Sequence, residues 1–98
     1  MQITKNQTAD KLEVALSGRL DTNTAPQLEQ DMANALAGVK ELVFDFTDLA
    51  YVSSAGLRVL LALQKTMNKQ GSMKVTHVNP EIMEIFEITG FLDVLTVE

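Results

Sequence analysis

The sequence predicts an α/β fold, a small mixed and largely parallel β-sheet backed by helices. Segments with strand-type and helix-type periodicity alternate along most of the chain, which is how a parallel sheet with crossover helices is written in sequence. Ahead of that alternation stand two strand-like segments separated by a turn, which add an antiparallel hairpin. The chain has 98 residues, a length that fits one domain, and residues 1–98 are read as such.

Ile3 to Asn6 and Leu12 to Leu16 are the hairpin strands. Leu12, Val14 and Leu16 alternate with Glu13 and Ala15, and Thr8-Ala9-Asp10 forms the turn. Gly18 breaks the pattern, and Asp21 to Asn23 is a polar loop. Thr24, with Gln27 after it, fits a capping box, and Pro26 is tolerated in the first helical turn. Leu28, Met32 and Leu36 make one apolar stripe on that helix, and Gly38 stops it. Ala25, Ala33, Ala35 and Ala37 are small enough to let the helix lie close to a sheet.

Leu42 to Phe46 is nearly all apolar, as expected of a central strand covered on both faces, and Thr47-Asp48 marks its exit. Ser53 or Ser54 can cap the next helix. Leu57, Leu60, Leu61 and Gln64 share its inner face, Val59 and Leu63 widen it, and Gly71 ends it. Met73 to Val78 is a further strand. Asn79-Pro80 is a cap followed by proline in the first helical position. Ile82, Ile85 and Phe86 turn inward there while Glu81, Glu84 and Glu87 face water, and Gly90 closes the helix. Val94 to Val97 is the last strand. The order is therefore strand, strand, helix, strand, helix, strand, helix, strand.

Composition removes several function classes. The formal net charge of −5 disfavours direct nucleic-acid binding, because the phosphate backbone repels an acidic surface. No apolar run approaches the roughly 20 residues of a membrane helix, so insertion into a membrane is not expected. The start, Met1-Gln-Ile-Thr-Lys5, does not resemble a signal peptide, and cysteine is absent, which fits a soluble cytoplasmic protein. His77 is the only histidine, so a metal site is not expected. There is no G-x-S-x-G elbow, no G-x-G-x-x-G and no P-loop. Asp45 and Asp48 read as turn formers at a strand exit. The expectation is a binding domain without cofactor or enzymatic activity. A catalytic alternative, Ser54 acting with His77, requires the two side chains within hydrogen-bond reach.

The informative segment is Asp48 to Leu57, which runs from a buried strand into an apolar helix. In parallel α/β sheets such connections lie at the carboxyl ends of the strands, where binding sites gather. Two serines, Ser53 and Ser54, stand at the helix start, and Gly56 leaves room for another chain to approach. Either serine can be a plain cap. A phosphate added there would meet the positive end of a helix, stabilising by roughly 0.3–1 kcal/mol. It would also add about −1.5 to −2 charges, enough to abolish a docking contact without unfolding the domain.

Four ordered segments now resemble one known family. Tyr51-Val-Ser-Ser-Ala-Gly-Leu-Arg-Val-Leu-Leu61 closely resembles the phosphorylation loop and following helix of STAS domains, the sulfate-transporter and anti-sigma-factor-antagonist family. Gly18-Arg-Leu-Asp21 with Thr24 resembles the family's G-x-L-D segment, and Leu42 to Phe46 with Asp48-Leu49 resembles its central strand and exit. Pro80 to Phe86, then Gly90, Phe91 and Leu92, resembles its last helix and turn.

The resemblance implies a bacterial anti-sigma factor antagonist that takes part in partner switching and transcription regulation. The unphosphorylated form would bind an anti-sigma factor serine kinase and so release a sigma factor. The kinase would use its own ATP, and a serine/threonine phosphatase would reset the switch. The phospho-acceptor position falls on Ser54, two before Gly56, with Ser53 as a second candidate. Where antagonists often carry Asp and then Ser or Thr on either side of the acceptor, this chain has Ser53 and Ala55. Asp21, Thr22, Asn23, Ser53, Ser54, Ala55, Gly56, Leu57 and Arg58 make up the expected partner-binding face. The alternative is an unswitched STAS accessory subunit of a lipid-transport, anion-transport or other regulatory complex.

Overall fold

The computed structural model describes residues 1–98. Strands β1 (Gln2–Thr8) and β2 (Lys11–Leu20) form an antiparallel hairpin closed by a two-residue turn, Ala9-Asp10. Ala9 takes φ 55° to make that turn. The carbonyl of Asp10 accepts the N–H groups of Lys40 and Glu41 at 2.7 and 3.2 Å, which ties the hairpin to the start of β3 (Glu41–Val52). β2 pairs parallel with β3, and β3 pairs parallel with β4 (Ser72–Thr76), so the sheet order is β1-β2-β3-β4.

Both parallel crossovers, through α1 (Ala25–Ala35) and α2 (Ser54–Gln70), step the same way across the sheet. Right-handed connections that step one way place their helices on one face. The burial pattern agrees: Leu12, Val14, Leu16, Leu42, Phe44, Phe46, Met73 and Val75 are buried, while the alternate residues Glu13, Ala15, Val43, Asp45, Lys74 and Thr76 are exposed or half-buried. β3 is interior in the strand order, as expected, but the sheet is covered on one face and not on two. An apolar residue such as Val43 on the open side made the segment read as doubly covered.

The two interior strands differ in length. β3 spends two more residues than β2 between paired ends, and these are absorbed as bulges between Asp45 and Asp48 and between Leu49 and Tyr51. Thr47-Asp48 is therefore the first bulge and not the exit of the strand. The Asp45 Oδ1 accepts the Thr47 N–H at 2.9 Å, a local bond that holds such an irregularity. Each bulge shifts the side-chain alternation by one, so that Leu49 and Val52 still face the core. Gly18, with φ 95°, lies inside β2 beside this irregular stretch and does not end the strand.

α1 buries Leu28 and Met32, and Leu36 follows at its C-terminal cap. The expected capping box is not formed. Thr24 has helical dihedrals (φ −102°, ψ −20°), and its side chain does not cap the helix. α2 buries Leu57, Val59, Leu60, Leu63, Gln64 and Met67. Its stop at Gly71 is a close approach: a β-carbon there would stand 1.8 Å from the Lys40 carbonyl oxygen. α3 (Pro80–Thr89) starts at Asn79, whose Oδ1 accepts the Ile82 N–H at 2.8 Å, and ends at Gly90 with φ 77°. The chain then makes a 3-10 turn, Phe91–Asp93. The expected last strand is reduced to one parallel bridge, Val75 to Val97. β4 ends at Thr76, and His77 directly after it takes φ 58°.

Candidate functional site

The loops that follow β2 and β3 emerge side by side because the strands are adjacent and parallel. The Ser53 N–H donates to the Leu20 carbonyl at 2.8 Å, so the start of α2 is pinned to the end of β2. Gly56 makes this contact possible. A β-carbon at Gly56 would lie 2.7 Å from Leu20 Cγ and 3.0 Å from the Leu20 carbonyl oxygen. The space that the sequence suggested for another chain is thus filled by this chain's own Leu20, and Gly56 is buried.

The two serines divide their roles. Ser53 is extended (φ −90°, ψ 175°) and is the cap of α2: its Oγ accepts the Gly56 N–H at 3.3 Å. Ser54 is the first residue of the helix and is exposed. Ala55 is half-buried against the core, Leu57 is 6% exposed, and Arg58 is exposed. Of the stretch 53–58, then, Ser54 and Arg58 present their side chains to solvent, with Ser53 and Ala55 partly so.

Opposite them, Asp21 organises the β2–α1 turn. Its Oδ1 accepts the backbone N–H groups of Asn23 at 3.0 Å and Thr24 at 3.1 Å. The Thr24 hydroxyl accepts the Asp21 N–H at 2.8 Å and donates to the Arg19 carbonyl at 2.7 Å. Thr24 therefore ties the turn to β2, and this is why it is not available as a helix cap. Desolvation pushes the Asp21 carboxyl upward, but the Thr24 and Asn23 N–H groups, the Thr24 hydroxyl and the Arg19 charge together hold it below its ordinary value. Asp21 stays ionised at neutral pH, held in a rigid turn, while Thr22 and Asn23 are exposed at its tip.

Sequence reasoning missed one part of this surface. The Arg19 guanidinium stacks over the Tyr51 ring at 4.4 Å from its centroid, and its Nε lies 3.7 Å from Asp21 Oδ2. The two residues are register partners only because of the second β3 bulge. Periodicity in the sequence carries no signal for that.

His77 stands apart. Its Nδ1 lies 3.3 Å from Asp45 Oδ1 and 3.1 Å from Thr76 Oγ1, on the open face of the sheet. Asp45 is paired with Thr76 in the sheet, whereas Ser54 comes after the whole remaining length of β3. At about 3.3 Å per residue this separates His77 from Ser54 by on the order of 20 Å. A serine–histidine catalytic pair is not assembled. The Thr47 hydroxyl and N–H, ahead of the His77 charge, hold the Asp45 carboxyl below its ordinary value.

Comparison with known proteins adds the relatives. A family model described as the STAS domain matches residues 2–98. The chain is 35% identical over 99 residues to BtrV of Bordetella bronchiseptica, by name a candidate anti-sigma factor antagonist, with 99% of this chain and 85% of that protein covered. It is 27% identical over 92 residues to an anti-sigma-B factor antagonist of Bacillus subtilis, covering 93% of this chain and 84% of the relative. Among solved structures, an anti-sigma factor antagonist from Mycobacterium paratuberculosis aligns with TM-score 0.88 at 25% identity, over 98% of this chain and 83% of the other. The anti-sigma factor antagonist SpoIIAA in its unphosphorylated form aligns with TM-score 0.85 at 17% identity, over 99% and 88% respectively, a likeness of fold.

Proposed function

The chain belongs to the STAS domain family, and we propose that it works as an anti-sigma factor antagonist, switched off by phosphorylation of Ser54. The observation that carries this is the division between the two serines. Ser53 is engaged as the helix cap, while Ser54 offers an exposed hydroxyl one residue later. A modification at Ser54 changes the surface and leaves the cap in place. The names of the relatives support the same role.

The docking face comprises Ser54 and Arg58 with the partly exposed edges of Ser53 and Ala55, flanked by the turn Asp21, Thr22 and Asn23. Gly56 and Leu57 serve the face from beneath, by packing. The unphosphorylated face binds an anti-sigma factor that is a serine kinase. In the inactivating step the Ser54 oxygen attacks the γ-phosphorus of ATP held by the kinase. The hydroxyl proton passes to a base on the kinase and on to solvent, the bond from the γ-phosphorus to the β-phosphate oxygen breaks, and ADP departs. The phosphate adds about −1.5 to −2 charges to a face that already carries the ionised Asp21, which opposes docking of a partner shaped for the neutral hydroxyl. A serine/threonine phosphatase restores it by hydrolysis.

The test is intact-mass analysis with peptide mapping after incubation with ATP and an anti-sigma kinase encoded in the same genome. The expected result is one added phosphate on Ser54. A stable complex that leaves the protein unmodified would overturn the switch and favour a constitutive docking role.

A further inference from the structure

The geometry points to Arg58 as the intramolecular partner of a phosphate on Ser54, an arginine–phosphoserine pair that withdraws Arg58 from the docking face when the switch is off. The inference rests on Ser54 being the acceptor and adds what the phosphate does once attached.

Ser54 and Arg58 are both within α2, four residues apart. Residues at that spacing lie on one face with β-carbons about 5–6 Å apart. Long side chains on a helix lean toward its N-terminus, so the turn that carries Ser54 is within the reach of a side chain at position 58. Its other neighbours at helical spacing, Ala55, Leu61 and Ala62, are all uncharged. Lys5, Lys11, Arg19 and Lys74 each have a carboxylate partner, Asp31, Glu13, Asp21 and Glu98 respectively. Arg58 makes no ion pair, as Lys40, Lys65 and Lys69 also do not, but of these four it alone stands four residues from the proposed acceptor, where it is exposed.

The chemistry of the pair is favourable in three ways. An anion N-terminal to a cation at this spacing is the better of the two orientations. A guanidinium can meet two phosphate oxygens at once, where a lysine offers a point charge. The phosphate therefore acts twice: it adds negative charge to the face, and it engages the cation that the unmodified face presents to a partner.

The measurement is a ³¹P NMR pH titration of the full chain carrying phosphoserine at position 54, installed during synthesis so that no kinase is needed. A guanidinium beside the phosphate favours the dianion. In Arg58→Gln the second phosphate ionisation should move up by about 0.3 pH unit relative to the parent. Arg58→Lys should recover part of that shift, Lys65→Gln should leave the curve where it was, and 1 M salt should shrink the difference. Coincident curves for the parent and Arg58→Gln would overturn the pairing, as would an equal shift from Lys65→Gln, which would signal only a general field. Coincident curves would leave the Ser54 switch standing, and a failure of any kinase to label Ser54 would leave this pairing standing, so the two readings fail separately.

Discussion

Gly56 sits against Leu20 so closely that an added β-carbon would lie 2.7 Å from Leu20 Cγ and 3.0 Å from the Leu20 carbonyl oxygen. This contact joins the two loops of the candidate site, because the same carbonyl accepts the Ser53 N–H at 2.8 Å. Gly56→Ala must push α2 away from β2 or force Leu20 off its rotamer. Overpacking of this kind costs about 1–3 kcal/mol. Urea denaturation should show that loss, and amide chemical-shift changes should centre on Leu20 and Ser53. An unchanged midpoint would mean that the helix start has slack.

Ser53→Ala and Ser54→Ala should separate cleanly in stability. Ser53 supplies the cap oxygen for the Gly56 N–H, so its loss should cost about 0.5–2 kcal/mol. Ser54 is exposed at the first helical position, where substitution away from any special contact changes stability by no more than about 0.5 kcal/mol. Equal losses in thermal or urea unfolding would refute the assignment of the cap to Ser53.

Asn79 ties α3 to the bulged strand: its Oδ1 accepts the Ile82 N–H at 2.8 Å and its Nδ2 donates to the Leu49 carbonyl at 3.0 Å. Asn79→Asp retains the cap and puts a carboxylate oxygen against that carbonyl. Asn79→Ala loses both bonds and should cost about 1–2 kcal/mol. If Asn79→Ala proves as stable as the parent in urea unfolding, neither bond contributes.

The Asp21 carboxyl is held below its ordinary value of 3.8 in the folded chain. The unfolded chain therefore binds more protons as pH drops below about 4. Stability from this group is complete above the unfolded value and is lost as pH falls through the folded one. Asp21→Asn can still accept the Asn23 and Thr24 N–H groups but carries no charge, so it should lose at pH 7 the part of the stability that depends on ionisation, and its acid limb should flatten. Asp45, lowered as well, keeps some slope in the variant. A urea midpoint series across that window checks the point; an acid limb unchanged by Asp21→Asn would contradict it.

Element type was legible from the chain almost throughout, since Leu12/Val14/Leu16 and Leu28/Met32 announce their periods without ambiguity. What stayed hidden depends on register between segments distant in sequence. The bulges of β3 turned Thr47-Asp48 into an apparent strand end, and they alone bring Tyr51 beside Arg19. The one-sided sheet follows from the direction of both crossovers, which local pattern does not encode. At the candidate site, the sequence places both serines at a helix start but does not assign the structural role of each. The sequence leaves Ser53 and Ser54 equivalent as caps, and only the extended backbone of Ser53 decides between them. Gly56 was recognisable as a close approach, but not that the approaching group is Leu20.

The sharpest test of the proposed switch sets charge against structure at one position. Ser54→Asp places a single negative charge where phosphorylation would place about −1.5 to −2, so it should reproduce part of the effect. Binding to the cognate anti-sigma factor should weaken at least about tenfold, or ~1.4 kcal/mol. Ser54→Ala should bind as tightly as the parent and resist inactivation by ATP. Because neither variant disturbs the Ser53 cap, the unfolding midpoint of Ser54→Ala should match the parent and that of Ser54→Asp should match or slightly exceed it, which excludes loss of fold as the cause. Titration calorimetry on the three proteins gives the comparison directly. If Ser54→Asp and Ser54→Ala bind alike, charge at this position does not control docking and Ser54 is not the switch.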